Sequence, residues 1–472
     1  MKNNKIFILL PDGIGLRNFA YTDFYKKGLE QGFNIVFWNN TMFDLSALEF
    51  KEIAISNAKT HPLTDILKKA RVQIDLNLNI EKEKDPIYNS YRFPFSYRNA
   101  KETFKSLAVR AVTFLYSSTN GVIKIRSRIF KLERKTMYYQ NCLETLKTER
   151  PAIVFCTNQR TVSAIAPILA AQDLNIPTAT FIFSWDNLPK ATLVLEPDYY
   201  FVWSDHMKKQ LRHYYPFITE NQVIVTGTPQ FETHTYGRNL ESKEAFFLKH
   251  NLDISKRYIC YSGDDITTSP NDPQYLADTA RAVRRLNDQG HSLGIIFRRC
   301  PVDFSDRFDR VLRENEDIMT AIEPQWKKIG GQWNAILPTA EDLELQMNTI
   351  AHSEMVINLG SSMIFDYISY EKPCAYINYD IPNSGNPNWS VRQIYKFIHF
   401  RSMPSPDAVF WINDPESISE IILAGLKNNA DVLKNAKIWF EKINLSPAKD
   451  ASSRILDAIG TIMNGSHKTV SR

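Results

Sequence analysis

Short runs of β-branched and aromatic residues alternate along this chain with longer stretches whose apolar side chains recur at helical spacing. Ile6–Leu10 is an unbroken apolar run of strand length, closed by Pro11-Asp12-Gly13. The pattern predicts a strand over 5–10, a helix over 18–31 and a second strand over 34–38. The rhythm resumes with strands over 152–156, 178–183, 199–203 and 223–226, and helices over 160–171 and 205–214. Residues 230–256 are polar and charged and read as a connection that includes His234, Gly237 and Arg238. Beyond it the alternation restarts, with strands over 258–261, 293–297, 335–337, 355–358 and 374–378 and helices over 273–287, 342–351 and 362–370. Helices over 416–426, 430–443 and 451–463 close the chain, and the last eight or so residues read as frayed.

Strands alternating with helices imply a parallel sheet covered on both faces. The expected fold is therefore α/β, with two doubly wound Rossmann-like domains facing across a cleft. The first is expected over 1–235 and the second over 236–445. The stretch 446–472 is expected to be a helix that packs back on the first domain, followed by a tail. Sheets of this kind take ligands beyond the carboxyl ends of their strands.

Composition narrows the function. With 472 residues, 43% hydrophobic and 23% charged, the chain has ample material for real cores. Five scattered cysteines with no CxxC pair argue against a disulfide framework or a zinc site and for a reducing compartment. The first apolar run is too short for a signal peptide. The most apolar later stretch, 162–183, is interrupted by Gln172, Asp173, Asn175 and Pro177. The expectation is a cytoplasmic protein, at most held on the inner face of a membrane. A net charge of +5 is too mild for a dedicated nucleic-acid binder.

That charge is unevenly spread. Between Tyr91 and Lys135 stand eleven basic residues against only Glu102 and Glu133, a local +9 interleaved with Phe93, Phe95, Tyr97, Phe104, Phe114, Tyr116 and Phe130. The rest of the chain sums to −4. An insertion over 80–135 of this kind suits an anionic bilayer surface or a phosphorylated lipid. A solvated helical face over core aromatics is the alternative.

Several stretches could carry chemistry. A buried strand ends in Gly360-Ser361-Ser362, and a helix follows at once. Gly360 permits close backbone approach, either serine can cap the helix, and the free N–H groups favour a diphosphate. Asp366, one turn on, could bond a ribose or sugar hydroxyl. A plain capped helix is the competing reading. Arg298 and Arg299, at the end of the 293–297 strand, could meet a diphosphate bidentately or form ordinary salt bridges. Asp12 lies in Pro-Asp-Gly-Ile-Gly-Leu-Arg17, where two glycines would allow a ligand close, and Arg17 would add a phosphate or carboxylate partner. Asp186 lies in Trp185-Asp186-Asn187-Leu-Pro-Lys190 after a later strand. Either aspartate could serve as a general base or simply hold a turn. Asp264-Asp265 and Asp272 read as a polar loop rather than a metal site. His206 and His213 read as structural.

The run Ser361-Ser362-x-x-Phe365-Asp366, closing on Lys372-Pro373, resembles the donor-binding motif of GT-B glycosyltransferases. It also resembles that of their relatives, the CDP-glycerol glycerophosphotransferases. Arg298-Arg-Cys300-Pro-Val-Asp303 is similar to the strand-end R-x-HP-x-D of those relatives but has Cys300 where a histidine would stand. The segment 183–190, together with Val202-Trp203-Ser204 and Gly227-Thr-Pro-Gln230-Phe231, resembles bacterial surface-polysaccharide transferases. The resemblance covers most of 150–380.

It implies a glycosyltransferase moving a sugar from a nucleotide-sugar donor to a lipid-linked or growing cell-envelope saccharide. The chemistry would be inverting and metal-independent, with no cofactor. Asp12 and Asp186 would be candidate catalytic residues. Gly360, Ser361, Ser362, Asp366, Arg298 and Arg299 would hold the donor. Arg17, Trp185, Asn187, Lys190 and Gln230 would line the acceptor side. A CDP-polyol phosphotransferase, a nucleotide-sugar epimerase of the same fold and a non-catalytic binding module are the alternatives.

Overall fold

A computed structural model describes residues 3–235, 240–328, 336–382, 389–427 and 429–465. The chain divides into two compact units, one built from the described residues up to Pro229 and from Ile443 onward, the other from Gln230–Lys442.

The first unit contains strands β1 (Lys5–Leu10), β2 (Asn34–Asn39), β3 (Glu52–Ala54), β4 (Ile153–Cys156), β5 (Thr178–Phe181), β6 (Tyr199–Val202) and β7 (Val223–Val225). They form one parallel sheet in the order β3-β2-β1-β4-β5-β6-β7. Its helices are α1 (Ile14–Phe19), α2 (Phe24–Glu30), α3 (Thr64–Glu83), α4 (Ala100–Leu115), α5 (Thr119–Glu133), α6 (Met137–Glu149), α7 (Ile165–Asp173) and α8 (Asp205–Tyr214). The central strands are buried on both faces, which is why they read as continuous apolar runs rather than alternating ones. Phe7, Leu9, Val36 and Trp38 on one face pack with Leu67 and Ile74 of α3, Val122 and Ile125 of α5, and Cys142 and Leu146 of α6.

The second unit contains β8 (Arg257–Ser262), β9 (Leu293–Arg298), β10 (Met319–Ala321), β11 (Lys327–Lys328), β12 (Ile336–Leu337), β13 (Val356–Asn358), β14 (Cys374–Ile377) and β15 (Phe410–Ile412). Its parallel sheet runs β10-β9-β8-β13-β14-β15. The helices that matter below are α9 (Lys243–Lys249), α10 (Asp272–Asp288), α11 (Asp309–Glu314), α12 (Ala340–Ala351) and α13 (Met363–Ile368). Both sheets repeat one winding. The chain leaves the first strand toward one edge, returns to the strand beside it, and proceeds to the other edge.

The strand expected over 335–337 is β12, which pairs antiparallel with β11 outside the main sheet; Ala335, like Gly237, Arg238 and most of the expected frayed tail, lies outside the described residues. The helix expected over 18–31 is two helices. Thr22 donates its hydroxyl to the Asn18 carbonyl at 2.7 Å and accepts from the Phe24 amide at 3.3 Å, so its side chain competes with the helical ladder at the break. The insertion is helical, and side chains cap its members: Asn99 accepts from the Glu102 amide at α4 and Ser118 from the Gly121 amide at α5. The last helix, Ala451–Met463, returns to the first unit, where Gln31 bonds Asp457 at 3.3 Å and Lys27 reaches the Lys449 carbonyl at 3.2 Å.

Candidate functional site

The winding places one switch point in each sheet, between β1 and β4 and between β8 and β13. A crevice opens there at the carboxyl ends, because the flanking connections depart in opposite directions. The sequence places Pro11–Gly13 and 157–161 at the first switch point, and 263–272 and 359–362 at the second.

At the first, Asp12 is buried. Its Oδ1 accepts from the Ile14 amide at 3.2 Å, and its Oδ2 accepts from Asn158 Nδ2 at 2.7 Å and Thr161 Oγ1 at 2.8 Å. Burial raises its pKa above the ordinary carboxylate range despite these neutral donors. A buried carboxylate readied in this way can take up a proton. Gly15 serves the protein rather than a ligand: a Cβ there would lie 2.3 Å from Thr157 Oγ1. The expectation that this glycine admits a substrate is corrected accordingly. Arg17 lies half-buried in α1.

The loop after β5 supplies the other members. Asp186 accepts from Ser184 Oγ at 2.5 Å and forms an ion pair with Lys190, so Lys190 is committed to a carboxylate. Trp185 and Asn187 are buried. Asn187 Oδ1 accepts from Arg160 at 3.2 Å, and its Nδ2 is buried without a hydrogen-bond partner. The Arg160 guanidinium feels the charges of both Asp12 and Asp186. Asp12, Asn158, Arg160, Thr161, Asp186 and Asn187 thus form one connected group. Gln230 belongs to the second unit, in a short turn where its carbonyl accepts from Thr233 Oγ1 at 3.4 Å.

At the second switch point the residues meet protein partners. Gly360 is left-handed (φ +68°), and a Cβ there would crowd Phe400 at 3.1 Å and Ile394 at 3.2 Å. The Ser361 amide donates to Asn358 Oδ1 at 2.8 Å, and Tyr376 donates to the Ser361 carbonyl at 2.9 Å. Ser362 is the N-cap of α13 but its side chain makes no capping bond, and that helix has only six residues. Asp366 meets a protein partner. It is buried and pairs with the equally buried His234 Nε2 at 2.8 Å, which ties 233–235 to α13.

The arginines also meet protein partners. Arg298 holds Asp342 at the start of α12 with one amine at 2.8 and 2.9 Å, both side chains being buried. Arg299 donates to the Ser305 carbonyl at 2.6 Å and pairs with Glu323 at 3.0 Å. Acidic residues downstream in sequence fold onto both, which a local motif does not reveal. Burial pushes the Cys300 thiol up to about 12, so it cannot stand in for a histidine as a base near neutral pH.

Sequence reasoning under-weighted the loop after β8. Asp272 accepts from the Asp264 amide at 2.7 Å, Tyr261 at 2.8 Å and Ser269 at 3.1 Å. Asp264 is half-buried beside it, its Oδ2 shielded from solvent and lacking a hydrogen-bond partner. Burial raises the pKa of both, and for Asp264 the Asp272 charge adds to it, so the pair retains a proton toward neutrality. The available signal was three aspartates in nine residues after a strand. Among the described residues no group of three or more His, Cys, Asp or Glu is placed to hold a metal ion.

No protein family matches the chain by sequence, and no curated protein does. Solved structures do match. The S. aureus MnaA–UDP co-structure aligns with a TM-score of 0.52 at 13% identity, over 98% of this chain and 97% of that one. A UDP-N-acetylglucosamine 2-epimerase gives 0.53 at 12% over 100% and 99%. A glycosyltransferase from Rickettsia africae gives 0.51 at 10% over all of both chains. The fold is GT-B. At these identities the likeness concerns architecture, which epimerases and glycosyltransferases share. No helix among the described residues is long and apolar enough to cross a membrane.

Proposed function

We propose that the chain is a glycosyltransferase that moves a sugar from a nucleotide-activated donor to a saccharide or lipid-linked acceptor. The observation that carries this reading is a substrate-sized space in the first unit, whose wall includes Arg160 of the Asp12 group. A pocket of about 620 Å³ in the first unit is built by α3, residues 93–96 and α4 of the insertion, and Arg160 of the β4 loop. An epimerase acts on one nucleotide sugar and has no use for it. Its position next to the Asp12 group supports Asp12 as general base. The Asp12 carboxylate takes the proton of the acceptor hydroxyl as that oxygen bonds the anomeric carbon. The bond from that carbon to the nucleotide diphosphate breaks, its electron pair leaves with the diphosphate, and the anomeric configuration inverts. The donor belongs to the second crevice, beside the Gly360–Ser362 turn and the Asp264–Asp272 pair.

The acceptor side also carries a surface suited to an anionic membrane. Phe104, Leu107, Phe114 and Leu115 of α4 are exposed, Phe114 by 81%, amid the basic residues of the insertion.

Nucleotide-sugar epimerisation is the second reading, favoured by the fold neighbours and by the proton-holding Asp264–Asp272 pair. A thermal-shift screen with nucleotides and nucleotide sugars tests donor binding: a raised Tm identifies base and sugar, and no response to any nucleotide contradicts both readings.

A further inference from the structure

The same pocket contains two cations that no carboxylate of the described residues approaches within 4 Å, although Lys68 feels Asp65 and Arg160 feels Asp186 and Asp12 at longer range. Its acids are occupied: Asp65 pairs with Lys69 at 3.7 Å and with Lys105, and Glu102 accepts from Ser96. Lys68 and Arg160 have no such match. The Lys68 ammonium reaches only the Arg160 carbonyl, at 3.4 Å. The Arg160 guanidinium donates to neutral Asn187 and stacks 5.7 Å from the Phe183 ring. Neither forms an ion pair within 4 Å among the described residues.

Placing two like charges together in a half-buried wall is costly, and Arg160 lowers the proton affinity of Lys68. Lys68 is brought down to about 8 by burial and by Arg160, and burial lowers Arg160 itself. An oxyanion between them would remove that cost, since a guanidinium and an ammonium are the usual partners of phosphate and carboxylate. Around them, Phe93, Pro94, Phe95 and Val109 supply apolar wall suited to a sugar face or a lipid stem.

We propose that this pocket binds an oxyanion, phosphate or carboxylate, carried by the acceptor, with Lys68 and Arg160 as its charged contacts. That the oxyanion belongs to an acceptor rests on the transferase reading; that the pocket binds it does not. Arg160 lies in the loop that holds Asp12, so seating the anion there would also position the acceptor hydroxyl near the proposed base.

The test uses the full chain labelled with ¹³C-lysine, titrated with inorganic phosphate, with pyrophosphate and with vesicles bearing a lipid-linked diphosphate. Binding at the pair should raise the Lys68 titration midpoint by about one pH unit or more. Lys68→Met and Arg160→Met should each weaken pyrophosphate at least about tenfold while nucleotide binding stays unchanged, and Lys68→Arg should restore most of it. Binding confined to vesicles assigns a lipid headgroup; binding of the soluble anions assigns the anion alone; either supports the site. An unmoved Lys68 midpoint, or equal affinity in Lys68→Met, overturns it. Should the anions bind through Lys68 while no sugar is transferred from any donor, the transferase reading fails and the site stands. Transfer to a phosphate-bearing acceptor whose KM Lys68→Met leaves unchanged sinks the site and leaves the transferase.

Discussion

The two crevices share one strand order and differ in how their cations are matched. In the second unit Arg298, Arg299 and Arg307 each meet a carboxylate: Asp342, Glu323 and Asp303. In the first unit, Lys68 and Arg160 have no carboxylate of the described residues within 4 Å: Lys68 bonds a backbone carbonyl and Arg160 the Asn187 amide, with Asp65, Asp186 and Asp12 acting only at longer range. The winding fixes where a ligand can enter. Which side chains remain available for it depends on what tertiary pairing has already used. A conspicuous Arg-Arg pair at a strand end can therefore be structural, while a lysine inside an amphipathic helix becomes the better ligand candidate.

The sharpest way to break this comparison is to remove one cation from each crevice. Arg298→Met leaves Asp342 buried without its charge partner and should lower unfolding free energy by about 3–5 kcal/mol. Arg160→Met removes a cation with no carboxylate of the described residues within 4 Å and should change stability by no more than about 1 kcal/mol. Equal losses in denaturant titrations would mean that Arg160 is structurally paired after all.

Next in size is the base. Asp12→Asn should reduce kcat by about 100-fold or more, the usual worth of a positioned base. Asp186→Asn, which removes a carboxylate already tied to Lys190 and Ser184, should cost less. The opposite ranking in steady-state kinetics would exchange their roles.

A smaller effect follows from pH. Burial pushes Asp272 of the second crevice and Asp75 of α3 up to about 6, from 3.8. The folded chain then binds more protons than the unfolded one above about pH 4, so stability should fall as pH rises from about 4 through about 6, and Asp264, raised further, should carry the fall on toward neutrality. Asp264→Asn removes one of these raised carboxyls and should make the fall shallower; an unchanged slope in denaturant titrations across pH would show that Asp264 holds no extra proton in the folded chain.

The least effect on stability should come from the insertion. Phe104→Ser with Phe114→Ser should change unfolding free energy by no more than about 0.5 kcal/mol, since both side chains are exposed. Flotation with anionic vesicles should nevertheless be lost. Retained flotation would leave the +9 of this segment a solvated surface.

Much of the architecture was legible because buried parallel strands advertise themselves as apolar runs between capped helices. Both units were readable from the strands expected over 5–10, 152–156, 258–261 and 355–358. Helix breaks were not: the stop between α1 and α2 depends on one threonine hydroxyl. The site was legible as places rather than as roles. Asp12 and the Trp185–Lys190 loop fell at strand ends where function concentrates. The pairing of Arg298 with Asp342, 44 positions on, and of Asp366 with His234, 132 positions back, arises only in three dimensions. Lys68 and Arg160 carry no local motif at all, and only their shared burial makes them notable.

The most direct measurement is a ¹H NMR time course of the chain with the nucleotide sugar identified by thermal shift, with and without an acceptor saccharide. The account predicts that donor is consumed and nucleoside diphosphate released only when acceptor is present, with an inverted anomeric signal in the product. Conversion of the donor sugar to its epimer without acceptor, while the nucleotide link stays intact, would contradict it.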